Sequence, residues 1–362
     1  MTTDYLHVSY NDVINGYIPE NDDYSLVTRL TEARFRAFFE NPLLKDKNQP
    51  LLNLATVDNV ICGRSTLFET QVVINGEIER AQSMSTLDVI EKFREYGLGP
   101  GLFSYASTKT EPKYVLCSGI SDSAMPLYTM MRFKMLTFPR LMYFNNIRSL
   151  IESYGFSRGV SKCLSFFANI PFKLVGCFNS LQAYLYKKTY TVRKEYQIPK
   201  WVEDLTIRDK HKYKEAHTAE WLQWNLDYNF KGYPEDIQRF YTISKDDRPL
   251  GFFMIKERYR KEAGGKLKDI ILGAIVEWGS YDESLLDESM INIIALSCFS
   301  SKVDIIEFAS SDSSTVRKMK RRGFIQHGTA RIALRDKTKQ LKDLNDIDNW
   351  RIRYGYADVI LT

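Results

Sequence analysis

The stretch Val89-Ile90-Glu91-Lys92-Phe93-Arg94-Glu95-Tyr96-Gly97-Leu98-Gly99-Pro100-Gly101-Leu102 constrains this chain more than any other. A β-branched run ends there in a glycine-rich turn, and the sequence predicts an apolar helix beginning at Pro100. Proline suits the first helical position, where its missing N–H costs nothing. The glycines before it let the chain reverse sharply and turn its amides outward. A helix N-terminus with unpaired N–H groups attracts phosphate or pyrophosphate. The local physics therefore points to a phosphate-bearing ligand. Two other phosphate-binding spacings are absent. Gly97, Gly99 and Gly101 do not form Gly-x-Gly-x-x-Gly, and no Gly-Lys-Ser/Thr closes the turn.

Around that turn, residues 1–143 read as a mixed α/β unit. Leu26, Val27, Leu30, Ala33, Ala37 and Phe38 recur at helical spacing and stop near Asn41-Pro42. Leu51 to Val57 and Gly63 to Ile74 read as strands. Asn75-Gly76 is the pair a tight hairpin demands, because both central residues need positive φ. The returning strand, Ile78 to Ile90, leads into the glycine turn. Beyond the Pro100 helix the pattern predicts a strand at Tyr114–Cys117. A helix then opens at Ser121-Asp122-Ser123, whose side chains can cap free N–H groups. A last strand covers Lys134 to Phe138.

These residues resemble the GNAT superfamily of acyl-CoA N-acyltransferases. That family's main motif is a hydrophobic strand residue, then Arg or Gln, two residues, Gly, one residue, and Gly or Ala. Val89, Arg94, Gly97 and Gly99 stand at those spacings, with Leu102 in the following helix. Ala124, Leu127, Tyr128 and Phe133 match a second motif, with Arg132 in place of the usual Gly. The resemblance implies acetyl-CoA as co-substrate, no metal, and direct attack by an amine in a ternary complex. Backbone groups of Arg94, Glu95, Tyr96, Gly97, Leu98, Gly99, Pro100, Gly101 and Leu102 would hold the pyrophosphate. The strand at Asp88 and Val89 would bind the pantetheine arm, and Tyr128 would protonate the leaving thiolate. Many relatives carry a Glu six residues before the strand residue, where this chain has Ser83. Asp88 and Glu69 are the nearby candidates for a base, though each reads better as a surface carboxylate without a role. His7, His211, His217 and His327 are isolated and read as satisfied or exposed histidines.

After Trp201 the pattern starts again. Phe240–Ile243, Leu250–Lys256, Ile270–Trp278 and Val303–Phe308 read as strands, and Met290–Phe299 as a helix. A second helix opens at Asp312-Ser313-Ser314-Thr315 and ends at Arg322-Gly323-Phe324. Met319 stands where Tyr128 stood, and no Arg-x-x-Gly-x-Gly turn precedes the Met290 helix. The expected fold class is α/β (α+β), with two tandem GNAT-like domains, each a mixed, mainly antiparallel sheet flanked by helices. Residues 1–143 would be the catalytic domain, 144–200 a basic, aromatic helical linker, and 201–362 a degenerate GNAT-like domain. Tandem arrangements of this kind are similar to Fem-type aminoacyl transferases and to transferases of surface-glycan assembly.

Charge narrows the partners. Between Phe144 and Lys200, nine Lys or Arg face two Glu, so that segment alone exceeds the chain's net +5. An excess confined to one segment argues against nucleic acid as partner. Within it Leu174, Cys177, Phe178, Leu181 and Leu185 recur at helical spacing and end at Lys187-Lys188. Two readings stay open over 160–188: a stripe packed on a neighbour, or a basic amphipathic surface meeting anionic lipid. Five scattered cysteines without a Cys-x-x-Cys pair speak against disulfides and zinc. With no basic-then-apolar N-terminus, and no apolar run of roughly 18 residues, the expected location is the cytoplasm or the membrane surface. The acceptor would be a small-molecule or glycan amine: an amino sugar, an amino acid or a glycan precursor. The alternative functions are a module that binds acyl-CoA or a partner without turnover, and a Fem-like aminoacyl transferase, which the confined basic excess disfavours.

Overall fold

The computed structural model describes residues 2–16, 32–228, 236–264 and 267–356. The chain begins with β1 (Thr3–Ser9), α1 (Tyr10–Ile14), α2 (Glu32–Phe39), β2 (Pro50–Val57), β3 (Val60–Ile74) and β4 (Glu77–Val89). It continues with α3 (Leu98–Lys109), β5 (Tyr114–Ser118), α4 (Met125–Met130) and β6 (Lys134–Phe144). Three helices follow: α5 (Arg148–Ser153), α6 (Arg158–Ala168) and α7 (Ile170–Thr189). Next come β7 (Thr191–Glu195), α8 (Val202–Ile207), β8 (Tyr213–Glu215), α9 (Ala219–Asp227), β9 (Ile237–Lys245) and β10 (Arg248–Gly264). The chain then forms β11 (Leu267–Ser280), α10 (Glu288–Leu296), β12 (Ile305–Ala309), α11 (Ser313–Arg321) and β13 (Ile325–Asp336). Leu26, Val27 and Leu30 of the first expected helix lie outside the described residues.

Two-residue turns build the hairpins. Asn75 and Gly76 have φ of 50° and 89°, as their identity requires. Asp58-Asn59 and Asp246-Asp247 adopt the same left-handed pair, which short polar side chains tolerate. The strands form one 13-stranded sheet in the order β1-β2-β3-β4-β5-β13-β6-β12-β11-β10-β9-β7, with β8 added on β3. Neighbours are antiparallel except at β4–β5 and β11–β12, which are parallel.

The order of the central strands joins the halves. β13, near the C-terminus, sits between β5 and β6, while β6 pairs with β12. β6 thus pairs with strands from later in the chain, β13 reaches back to β5, and the two pair with each other in the middle of the sheet. One of the buried clusters spans the crossing, joining Val72 of β3, Leu116 of β5, Met254 of β10 and Ile332 of β13. The sheet continues past residue 143 without a break, since β6 runs to Phe144 rather than ending at Phe138.

Two helix starts differ from expectation. α3 begins at Leu98, not Pro100, because Gly97 at φ 70° ends a preceding 3-10 turn (Glu91–Tyr96) and caps α3 directly. α4 begins at Met125, not at Ser121-Asp122-Ser123. Pro126, with its φ preset, sits in the first turn, and no side chain caps it. Asp122 is instead ion-paired with Arg331 of β13.

Candidate active site

β4 and β5 pair over three positions, Ala81–Tyr114, Gln82–Val115 and Ser83–Leu116. Beyond these, both strands run on without pairing to each other, and the sheet opens into a wedge between them. On the other side of β4, Thr66 pairs with Ser85 but Arg64 pairs with Asp88, so Thr86 and Leu87 together face Ser65. Thr86 has φ 54°. This is a β-bulge, which takes backbone groups out of the ladder and re-aims them. A cavity of about 310 Å³ fills the wedge, lined by Ser65, Thr86, Leu87, Phe103, Gly119 and Tyr128 among others.

Tyr128 is buried against Phe103, with ring centroids 4.8 Å apart, and against Phe133 at 5.1 Å, both edge-on. Its position is set by the end of α4. The Phe133 N–H donates to the Tyr128 carbonyl at 3.0 Å, and Arg132 takes φ 62° to allow it. Arg132 therefore adopts the backbone that glycine adopts most easily. At the corresponding point after α11, Gly323 has φ 92° and Phe324 N–H donates to the Met319 carbonyl at 3.2 Å. The two halves share this turn, but one aims a phenol and the other a thioether.

The glycine turn lies where β4 ends. The Arg94 Nε donates to the Val89 carbonyl at 2.9 Å, tying the turn to the strand, and Arg94 Nη2 stands 3.8 Å from Asp88. The Arg94 side chain stays 61% exposed beside the start of α3. Gly97 caps α3 without any side-chain acceptor, so the amides of Leu98 and Gly99 have no intrahelical partner. Pro100 has no N–H, and the Gly101 N–H donates to the Gly97 carbonyl at 3.2 Å. The side chains of Val89, Leu98 and Leu102 are core contacts, packed together with Cys62. Glu95, Tyr96 and Pro100 are exposed. Tyr5 covers Gly101, its hydroxyl 1.8 Å from where a Cβ would be.

No family model matches the sequence, and no curated protein matches it closely enough to count. Solved structures do match. Saccharomyces cerevisiae N-myristoyltransferase with bound myristoyl-CoA superposes with a TM-score of 0.60 at 12% identity, over 97% of this chain and 85% of that one. A GCN5-related N-acetyltransferase from Anabaena variabilis gives 0.53 at 9% identity, over 93% and 73%. A probable N-acyltransferase from Enterococcus faecalis gives 0.51 at 9%, over 93% and 73%. This chain has the GNAT-superfamily fold.

The N-terminus of α10 is closed where that of α3 is open. Asp287 caps α10, accepting from the Met290 N–H at 2.9 Å, and Glu288 follows it. A fixed carboxylate there satisfies the amides that would bind an anion and repels a phosphate.

Among the described residues lining the β4–β5 cavity there is no carboxylate and no imidazole. Glu69 is buried and held by Arg80 at 2.8 Å and by the Gln82 amide at 2.7 Å, which makes it a structural anchor. Asp88 lies on the far side of the bulge, beside Arg94. Ser83 is fully buried within β4. Sequence reasoning misses the bulge at Thr86-Leu87, because Ser-Met-Ser-Thr-Leu-Asp reads as an unbroken strand.

Proposed function

We propose that the chain is an acyl-CoA-dependent N-acyltransferase, and that acetyl is the group it transfers. One observation carries this reading: Tyr128 and a β-bulge face the same cavity, next to a helix N-terminus capped only by glycine. The free amides of α3 and the exposed Arg94 would take the CoA pyrophosphate. Bulge amides near Thr86 and Leu87 would donate to the thioester carbonyl, where negative charge develops. The acceptor nitrogen attacks that carbonyl, the C–N bond forms, and the C–S bond breaks. The thiolate takes the Tyr128 proton, and the attacking amine gives up its own to a basic group or a water chain. We take the halves as two GNAT-like units that have traded last strands, the first catalytic and the second a scaffold. Thiol release from acetyl-CoA with a panel of primary amines tests the activity. CoA binding without release in any amine would leave a binding module.

Cofactor binding has its own test. Gly99→Glu adds a negative charge where the pyrophosphate should sit, so calorimetry should find one CoA per wild-type chain and at least tenfold weaker binding in the variant. Tenfold is about 1.4 kcal/mol, modest for a like charge placed against a phosphate. Two CoA per chain, or equal affinities, would overturn the assignment.

We further propose that α6 and α7 rest on anionic lipid. α7 is apolar on its outer face: Leu174, Phe178, Leu181 and Leu185 are 52–67% exposed, while Asn179 and Ala183 are buried. Val160, Leu164 and Phe167 continue the exposed stripe on α6. No described helix is long and apolar enough to cross a membrane, so the helices would lie flat, with lysines reaching headgroups. The protein should sediment with acidic vesicles at low salt and release at high salt, as screening shortens the reach of charge. Lys187→Glu with Lys188→Glu should abolish that binding. Equal recovery of both proteins in the supernatant would end this proposal.

A further inference from the structure

A second and larger cavity, about 500 Å³, lies against the first and shares Ser118, Gly119 and Ile120 with it as a common wall. Five arginines line it: Arg140 of β6, Arg258 and Arg260 of β10, Arg331 of β13, and Arg353 from the C-terminal segment. The exchange of β6 and β13 is what brings arginines of both halves to one place. Among the described residues the single lining carboxylate is Glu307, already shared between Arg140 and Arg258 and accepting from the Tyr354 hydroxyl as well. Arg331 is held by Asp122, and Arg353 by Glu288.

Arg260 is different. Among the described residues it forms no ion pair, and its Nη1 is buried without a hydrogen-bond partner. The Nε atoms of Arg140 and Arg353 are likewise buried and unpartnered. Burial, together with the neighbouring Arg258, holds the Arg260 guanidinium below its ordinary value, as expected where positive charge is crowded. A half-buried cation with unmet donors is costly unless something anionic completes it. A guanidinium fork matches the two oxygens of a carboxylate or a phosphate. Gly119 in the shared wall has no side chain, and its Cβ direction is open.

We propose that this cavity binds the acceptor by an anionic group, carboxylate or phosphate, and presents its amine across Gly119 to the thioester. The proposal rests on the acyl-transfer reading and narrows the acceptor to an anionic amine. Arg260 would be the principal contact, completed by the Nε donors of Arg140 and Arg353.

Calorimetry on the CoA-saturated protein tests this without needing turnover. The probes are β-alanine, β-alaninamide and 2-aminoethyl phosphate, which differ in the group at one end. The acid and the phosphate should each bind about tenfold or more tightly than the amide, as charge-assisted hydrogen bonds would give. Whichever of the two binds more tightly names the group. Arg260→Gln should remove that preference while leaving the weak amide affinity alone, and Arg260→Lys should restore part of it. An amide that binds as well as the acid and the phosphate overturns the anion site, with CoA binding still intact. A preference that survives in Arg260→Gln overturns it too. Failure of CoA itself to bind would instead overturn the acyl-transfer reading on which the proposal stands.

Discussion

Tyr128→Phe should lower the turnover of acyl transfer by about 10²–10⁴ while acyl-CoA affinity hardly moves. The substitution removes one hydroxyl and keeps the ring, which Phe103 and Phe133 hold edge-on. Packing is therefore preserved, and a loss of rate reports on the hydroxyl. In water a thiol near 8.5 is a stronger acid than a phenol near 10, so full proton transfer to a departing thiolate is uphill. The phenol then helps mainly by hydrogen-bonding the sulfur as charge develops, which places the loss near the lower end of the range. The measurement is turnover with acetyl-CoA and the best amine found, at neutral pH. A turnover unchanged by the substitution would mean that the thiolate leaves unaided, and Tyr128 would return to a packing role.

Local chemistry is legible in the sequence wherever a turn or a period fixes it. Asn75-Gly76 can only be a tight hairpin, and the hydrophobic runs of β10, β11 and β12 stand where their patterns put them. The wedge at Tyr128 is half legible: its tyrosine, its helix and its glycine turn can be read, but not the bulge that faces them. Thr86 and Leu87 belong to a run with ordinary strand composition, and only the pairing with Arg64 and Thr66 across the ladder reveals the extra residue. The crossing of β6 and β13 is invisible for a related reason. Which neighbour β6 and β13 choose is decided by closure of the whole sheet, and nothing in either segment names a partner. The arginine cavity leaves a faint mark, since Arg258 and Arg260 alternate onto one face of a strand. Alternation cannot say that this face is buried. The α7 stripe misleads in the opposite direction, because helical periodicity marks an apolar face without saying whether protein covers it.

His217 reads in the sequence as one isolated histidine among four, yet its loss should destabilise the fold severely. It sits fully buried just beyond β8, its Nε2 3.1 Å from Glu215 and its Nδ1 hydrogen-bonded to Glu277 of β11. Glu215 also accepts from Thr70 of β3 at 2.6 Å, and Glu277 from Arg351 at 2.7 Å. The network thus ties β3 in the first half to β11 in the second. Burial by itself would push the His217 pKa down, but the two carboxylates reverse this and raise it from 6.5 to about 9. Burial likewise opposes ionisation of Glu277, but Arg351 and His217 hold it down at about 2, against an ordinary 4.5. The signs follow from linkage. The histidine's contribution is fully present below pH 6.5 and is lost as pH rises through about 9. That of Glu277 is present above pH 4.5 and is lost as pH falls through about 2. Both are complete only between those limits. His217→Phe keeps the volume but leaves Glu215 and Glu277 without their shared cation, at a cost of about 3–5 kcal/mol. Urea denaturation at pH 6 and above pH 9 measures it. The variant's deficit should be largest at pH 6 and shrink above pH 9, where the wild-type imidazole is neutral as well. A deficit that stays constant with pH would mean that His217 acts through packing, and that the charge pair does not hold the two halves together.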